Sequence, residues 1–186
     1  TYVSGVLYNG QKISCSDFGS EVPAAYYPAE LLGSVFKSFT TRCDFHTQEV
    51  DLSVSNTYAK TSAAFLSEIE ELDARLSART RMDYPALEMT IDGMADYLTI
   101  YLISENQGGQ WRIISPVKRS VNIKLPALPD EIVQSMSGLS FTNHKFDHLL
   151  IIESDAVSSY DQIVNRELRV PAVRGEETVY MQKRYY

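Results

Sequence analysis

Residues 56–82 contain neither glycine nor proline, the two residues that most often interrupt a helix. The two seam positions of a seven-residue repeat are occupied by Tyr58, Phe65, Leu72 and by Ser62, Ile69, Leu76. Residues 55–57 offer side chains that cap a helix, and the segment ends before Pro85, whose preceding residue avoids the α region. The pattern predicts one amphipathic helix of about seven turns over about 56–82.

The N-terminal segment predicts a β-hairpin. Residues 3–7 and 12–15 are two short runs that favour strands, and Asn9 and Gly10 lie between them. Asparagine followed by glycine is the typical turn of a tight hairpin, because both residues tolerate a positive φ.

The rest of the chain favours short strands. Residues 50–54 alternate apolar and polar side chains, which is typical of a half-buried strand. Short helices are predicted at residues 29–39 and 130–136. Further strands are predicted at residues 87–91, 97–103, 111–114, 121–125, 149–152 and 178–185, the second and third of these forming another hairpin.

These elements predict an α+β fold. It consists mainly of antiparallel sheet with an N-terminal β-hairpin, packed against the long helix 56–82 and one or two short helices. The 186 residues are expected to form a single globular domain over residues 1–186, with a weak internal boundary near 84–86 where the helical pattern gives way to strands.

The acidic charge excludes some classes of partner. The formal net charge is −7, whereas a protein that binds a phosphate backbone or an anionic membrane surface usually carries a basic face. No apolar run reaches the roughly 18–20 residues that span a bilayer. We therefore expect neither nucleic acid nor a membrane as partner, and a soluble protein that is cytoplasmic, part of a virion, or secreted and processed.

The cysteines and histidines give no recognisable active site. Cys15 and Cys43 could form one disulfide or remain separate thiols. Cys43, His46, His144 and His148 have the spacing C-x₂-H and H-x₃-H, which could supply four zinc ligands if the two pairs met. The pairs lie far apart in sequence, and residues 149–152 directly after His148 favour a strand. The interpretation favoured here is unrelated side chains, with no catalytic residue, metal or cofactor assigned.

Tyrosine is the abundant aromatic residue, with twelve copies. Tyrosine is a good strand residue, but it is also enriched at protein interfaces because a large apolar ring carries a polar tip. Tyrosines in a proline-flanked loop and at the ends of the chain usually need a surface to pack against. The candidate interface residues are Tyr2, Tyr26, Tyr27, Tyr180, Tyr185 and Tyr186.

Three functions remain open. The first is a non-enzymatic structural or assembly subunit, for example of a virion or phage, that self-associates through strand edges and the tyrosine-rich termini. Its partner is a protein, chiefly itself as a homo-oligomer. The alternative is a small acidic monomeric module that binds a protein, such as an inhibitor, an immunity-type protein or a secreted host-directed protein. The third is an enzyme whose site is built from residues distant in sequence.

Overall fold

The structure, a computed structural model, describes residues 2–7, 12–17, 36–63, 70–83, 85–104, 110–127, 129–135, 144–168 and 179–186. These residues form mostly antiparallel β-sheet. The strands are β1 (Tyr2–Leu7), β2 (Lys12–Asp17), β3 (Phe36–Glu49), β4 (Leu52–Ser62), β5 (Arg75–Asp83), β6 (Ala86–Asp92), β7 (Tyr97–Ser104), β8 (Gln110–Pro116), β9 (Ser120–Lys124), β10 (His144–Ser154) and β11 (Val179–Tyr185). Two short helices are described, α1 (Asp130–Ser135) and α2 (Tyr160–Leu168).

The predicted long helix over 56–82 is wrong. Residues up to Ser62 belong to β4, residues 70–74 have no regular structure, and β5 begins at Arg75. The intervening residues 64–69, which include Phe65 and Ile69, lie outside the described residues. The α+β fold built around this helix is therefore replaced by a predominantly antiparallel β-fold.

A period of two explains why these residues form strands. In β4 the side chains of Leu52, Val54, Asn56 and Tyr58 are buried and those between them are more exposed. Tyr58 therefore continues the alternation that begins at Leu52, and it does not start a helical seam. Good helix-forming residues such as those of β5 adopt a strand here because burial and sheet pairing outweigh a preference of less than about 1 kcal/mol per residue.

The predicted N-terminal hairpin is present. β1 pairs antiparallel with β2, and on its other side β1 pairs antiparallel with β3. The helix predicted at 29–39 is wrong at its C-terminal end, because β3 begins at Phe36; residues 29–35 lie outside the described residues. The strands predicted after Pro85, the second hairpin and the short helix that begins at Asp130 are confirmed.

The chain divides into two compact units. The first unit comprises Thr1–His46, Ser55–Leu72 and Glu153–Gln182. Its strands lie in the order β2-β1-β3-β4-β11, and it also holds α2. Its buried apolar side chains include Phe39, Tyr58, Val157, Ile163 and Met181.

The second unit comprises Thr47–Val54, Asp73–Ile152 and Lys183–Tyr186. Its larger sheet has the order β11-β10-β7-β8. Four hydrophobic side chains of β7 are completely buried, which shows that both faces of this central strand are covered. They are Tyr97, Leu98, Ile100 and Leu102.

A separate three-stranded sheet of the second unit has the order β5-β6-β9. β6 buries Leu87, Met89 and Ile91 on one face, as its alternating sequence predicts. Gly93 follows β6 with a φ of +85°, and a Cβ there would lie 2.6 Å from the carbonyl oxygen of Asp73. Only glycine fits this turn, because a side chain would meet backbone atoms.

Burial along β7 gives a test of the core. Replacing the completely buried Ile100 by alanine is expected to lower the free energy of unfolding by about 2–5 kcal/mol, because a cavity replaces packed methyl groups. The matched substitution Ile103→Ala on the same strand, where 41 % of the side chain is exposed, should cost less than about 1 kcal/mol. Denaturant unfolding of both variants measures this difference, and equal losses would contradict the described burial.

Candidate functional site

Tyr185, completely buried at the end of β11, joins three segments of the second unit. Its hydroxyl donates a hydrogen bond to Glu49 Oε2 at 2.6 Å and accepts one from the Leu76 N–H at 3.0 Å. Lys183, two residues earlier and buried, places its Nζ 3.3 Å from Glu49 Oε1. Both carboxylate oxygens of Glu49 are thus held from within the fold, and we call these three side chains the Glu49 network.

The environment keeps the Tyr185 hydroxyl protonated. Burial raises the pKa of Tyr185, and the hydrogen bond to the Glu49 carboxylate raises it further, because both favour the neutral phenol. The hydroxyl therefore stays a donor to Glu49 throughout the ordinary pH range.

The Glu49 network borders a small cavity at the turn between β3 and β4. The cavity measures about 340 Å³ and is lined, within the described residues, by Glu49, Val50, Arg75, Leu76 and Ser77. Val50 and Asp51 form the turn with φ values of 49° and 62°. Positive φ is unfavourable for a β-branched residue such as valine, at a cost on the order of 1–3 kcal/mol.

A second feature of the same unit is a line of side chains across one sheet face. Arg112 on β8 lies directly opposite Tyr101 on β7, and Tyr101 lies directly opposite His148 on β10. Tyr186, directly after β11, follows His148 in the line. We call this set the aromatic–arginine row: Arg112, Tyr101, His148, Tyr186 and Arg184.

Each member of the row contacts the next. The Arg112 guanidinium carbon lies 5.6 Å from the Tyr101 ring centroid, and the Tyr101 and His148 rings stack with centroids 4.2 Å apart and planes 18° apart. The His148 and Tyr186 centroids are 6.4 Å apart. The Arg184 guanidinium carbon lies 5.9 Å from the Tyr186 ring centroid. These cation–π and stacking contacts hold the side chains in place relative to one another.

A bulge in β10 positions His148. The register shifts between Phe146 and His148, so Asp147 is the extra residue. The Phe146 N–H at the bulge donates to Asp83 Oδ1 at 2.9 Å. Asp147 Oδ2 lies 2.7 Å from His148 Nδ1. The bulge brings His148 opposite Tyr101, whereas His144 is buried and its ring meets Trp111 edge-on, at a centroid distance of 6.4 Å.

The structure does not assemble the metal ligands that the sequence offered. His144 and His148 lie on one strand with different surroundings, and His46 is exposed on β3. No group of three or more histidine, cysteine or acidic side chains in the described part of the chain could hold a metal ion. Whether Cys15 and Cys43 form a disulfide stays untested, because the Cys15 side chain lies outside the described side chains.

Asp44, between Cys43 and His46, belongs to a local cluster in the first unit. Its carboxylate accepts hydrogen bonds from Arg42 Nε at 3.0 Å and from Thr57 Oγ1 at 2.7 Å. Partial burial acts to raise the pKa of Asp44, but the hydrogen bonds from Arg42 and Thr57 outweigh it and hold the pKa below its usual value. These hydrogen bonds link β3 to β4 in the first unit.

The tyrosines predicted to form an interface have different surroundings. Tyr186 is 52 % exposed in the row, and Tyr180 is half-buried with its hydroxyl 2.6 Å from Gln182 Oε1. Tyr185 is completely buried in the Glu49 network, which gives it an internal role. The side chains of Tyr2, Tyr26 and Tyr27 lie outside the described residues.

No protein family, curated protein or solved structure is significantly similar to this chain. No helix among the described residues is long and apolar enough to cross a membrane.

Sequence reasoning missed most of both sites. It selected Tyr186, and it considered His148 only as a metal ligand. It did not select Tyr101, Arg112 or Arg184, because only strand pairing brings these residues into one line. It also missed Glu49, whose partner Tyr185 is 136 residues away. The alternation of polar and apolar residues in each strand was the available signal, but it gives the face of a residue and not its neighbour on the next strand.

The Glu49 network gives a test of stability. Tyr185→Phe removes one hydroxyl and leaves both the Leu76 N–H and Glu49 Oε2 without this partner. We expect the free energy of unfolding to fall by about 1–3 kcal/mol, the usual cost of unsatisfied buried polar groups. The control Tyr186→Phe removes only a 3.4 Å contact with Arg184 at an exposed ring and should change it by less than about 0.5 kcal/mol. Urea unfolding of both variants decides between them.

The raised pKa of Tyr185 also predicts a pH dependence. Above pH 10, the ordinary pKa of tyrosine, the unfolded chain releases this proton while the folded chain retains it. The free energy of unfolding should therefore decrease as pH rises beyond 10, and this part of the decrease should be absent in Tyr185→Phe. Unfolding curves measured on both sides of pH 10 test this; parallel decreases in wild type and variant would contradict it.

Proposed function

We propose that this chain is a non-enzymatic assembly subunit that binds copies of itself through the aromatic–arginine row. The row carries the proposal, because it presents preorganised tyrosine and arginine side chains at the surface of one sheet face. Tyrosine and arginine are the residues most enriched at the energetic centres of protein interfaces.

Preorganisation favours a protein partner. Tyr101, His148 and Arg184 are half-buried, so their rotamers are fixed by neighbours, while Arg112 and Tyr186 are exposed. Fixing a long side chain at an interface costs on the order of 0.5–1.5 kcal/mol, and the row reduces this cost because its members already contact each other.

Charge complementarity favours a second copy as that partner. The row ends in an arginine on each side, whereas the chain carries a net charge of −7. Two exposed carboxylates of the first unit are adjacent in sequence, Glu70 and Glu71, which we call the acidic segment. Glu70 has a loose ion pair with Lys60 at 3.8 Å, which leaves Glu71 as the main anionic group of this segment for an arginine of another copy.

A contact between the row of one copy and the acidic segment of the next is heterologous. Such contacts build rings when the rotation closes and filaments when it does not, which is the behaviour of an assembly subunit. The edge strand β5 does not favour the expected route through strand edges. This edge strand of the three-stranded sheet carries two bulges and the exposed Arg75, Arg79 and Arg81, features that disfavour pairing with another strand.

Charge reversal tests the proposed contact. Arg112→Glu in the row and Glu71→Arg in the acidic segment should each weaken association by at least about tenfold, because each places like charges together. Mixing the two variants makes both contacts of an alternating assembly attractive and should restore association. Sedimentation velocity at low ionic strength measures the species formed by each variant and by the mixture.

The matched control is Arg79→Glu, which reverses an exposed arginine outside the row. It should associate like wild type. Equal loss in Arg79→Glu and Arg112→Glu, or a mixture that stays as dissociated as its components, would contradict a specific contact between the row and the acidic segment.

A further inference from the structure

The cavity at the turn between β3 and β4 is lined by residues of both charges. Among the lining residues Glu49 carries a carboxylate, Arg75 a guanidinium and Ser77 a hydroxyl, while Val50 and Leu76 are apolar. Its volume of about 340 Å³ lies at the lower end of the roughly 300–1,000 Å³ typical of ligand pockets. The size fits a metabolite, and the chemistry fits one with two opposite charges.

The contacts of Glu49 orient its carboxylate and leave it able to accept a cationic group. One oxygen accepts the Tyr185 hydroxyl at 2.6 Å and the other lies 3.3 Å from Lys183 Nζ. A carboxylate has about four acceptor positions, so these two contacts leave positions for a ligand. The Glu49 side chain is 22 % exposed, whereas Lys183 and Tyr185 beneath it are buried. Its orientation is therefore set from within and its remaining acceptor positions are accessible.

Arg75 supplies the opposite charge. It is the first residue of β5 and its side chain is exposed on the cavity wall. Its neighbour across the ladder is Asp92, but a guanidinium has five N–H donors and one neighbour does not exhaust them. The paired N–H groups of arginine match the two oxygens of a carboxylate.

The backbone of the turn supports a fixed shape. Val50 and Asp51 keep positive φ values, and Val50 contacts the cavity. Leu76, on the facing segment, is tied by its N–H to the same Tyr185 hydroxyl that holds Glu49. The Tyr185 hydroxyl thus connects Glu49 to the segment that contains Arg75 and Leu76.

We propose that this cavity binds a free α-amino acid, with its ammonium group on Glu49 and its carboxylate on Arg75. The two charges of one small molecule satisfy both walls at once. A simple anion would be repelled by Glu49, and a simple cation by Arg75 and Lys183. The proposal is independent of self-association, because none of the cavity residues belongs to the row.

The first experiment screens the purified chain with the twenty L-amino acids at millimolar concentration by saturation-transfer NMR. Titration calorimetry then measures the Kd of each amino acid that binds. We expect saturable binding of at least one amino acid. Acetate and methylamine, which carry one charge each, should bind at least about tenfold more weakly, because each loses one charge-assisted contact. No saturable binding by any amino acid, or equal binding of the single-charge probes, would overturn the proposal.

Variants locate the site. Arg75→Gln should raise the Kd at least about tenfold, whereas Arg79→Gln, four residues along the same strand, should leave it within about twofold. Glu49→Gln should also raise the Kd, and its far-ultraviolet circular dichroism shows whether it remains folded. Because Arg75 is exposed, Arg75→Gln remains informative even if Glu49→Gln unfolds. An unchanged Kd in Arg75→Gln would overturn the proposal.

Discussion

One buried hydroxyl, that of Tyr185, connects the end of β11 to the start of β5 and the end of β3. Its proton is donated to Glu49 and its oxygen accepts the Leu76 N–H, so each partner depends on the same atom. Lys183 adds a buried cation beside the carboxylate. A buried charge is tolerated only when it is paired and hydrogen-bonded, and these contacts meet that requirement. The direction of Glu49, which lines the cavity, depends on this network.

The sequence predicted the elements whose signal is local. Asn9-Gly10 predicted the first hairpin, and the alternation at residues 87–91 predicted β6 with its buried face. The long helix failed because residues four apart, such as Tyr58 and Ser62, lie on one face of a strand as well as on one face of a helix. In β4, Asn56 and Tyr58 continue the alternation of Leu52 and Val54, and pairing with neighbouring strands decided the outcome. Long-range pairing of this kind is not visible in a local pattern.

The sites depend even more on long-range pairing. The Leu76–Tyr185 and Glu49–Tyr185 hydrogen bonds span 109 and 136 residues. The aromatic–arginine row exists because three strands align Arg112, Tyr101 and His148, with the bulge at Asp147 setting the last position. Tyr186 was selected from the sequence as a terminal aromatic residue that forms an interface, and its exposed position in the row is compatible with that prediction. Tyr185, selected on the same ground, instead has an internal role, because side chains alternate along a strand and adjacent residues face opposite sides.

The proposed self-association joins the row to the acidic segment through opposite charges. Ionic strength is therefore the variable that tests it most directly. Sedimentation velocity of the unmodified chain, over a range of concentrations and at low and high salt, measures it. Self-association through these charges predicts larger species that grow with concentration at low salt and dissociate as salt screens the arginine–carboxylate contacts. A monomer at every concentration and at every salt concentration would contradict it.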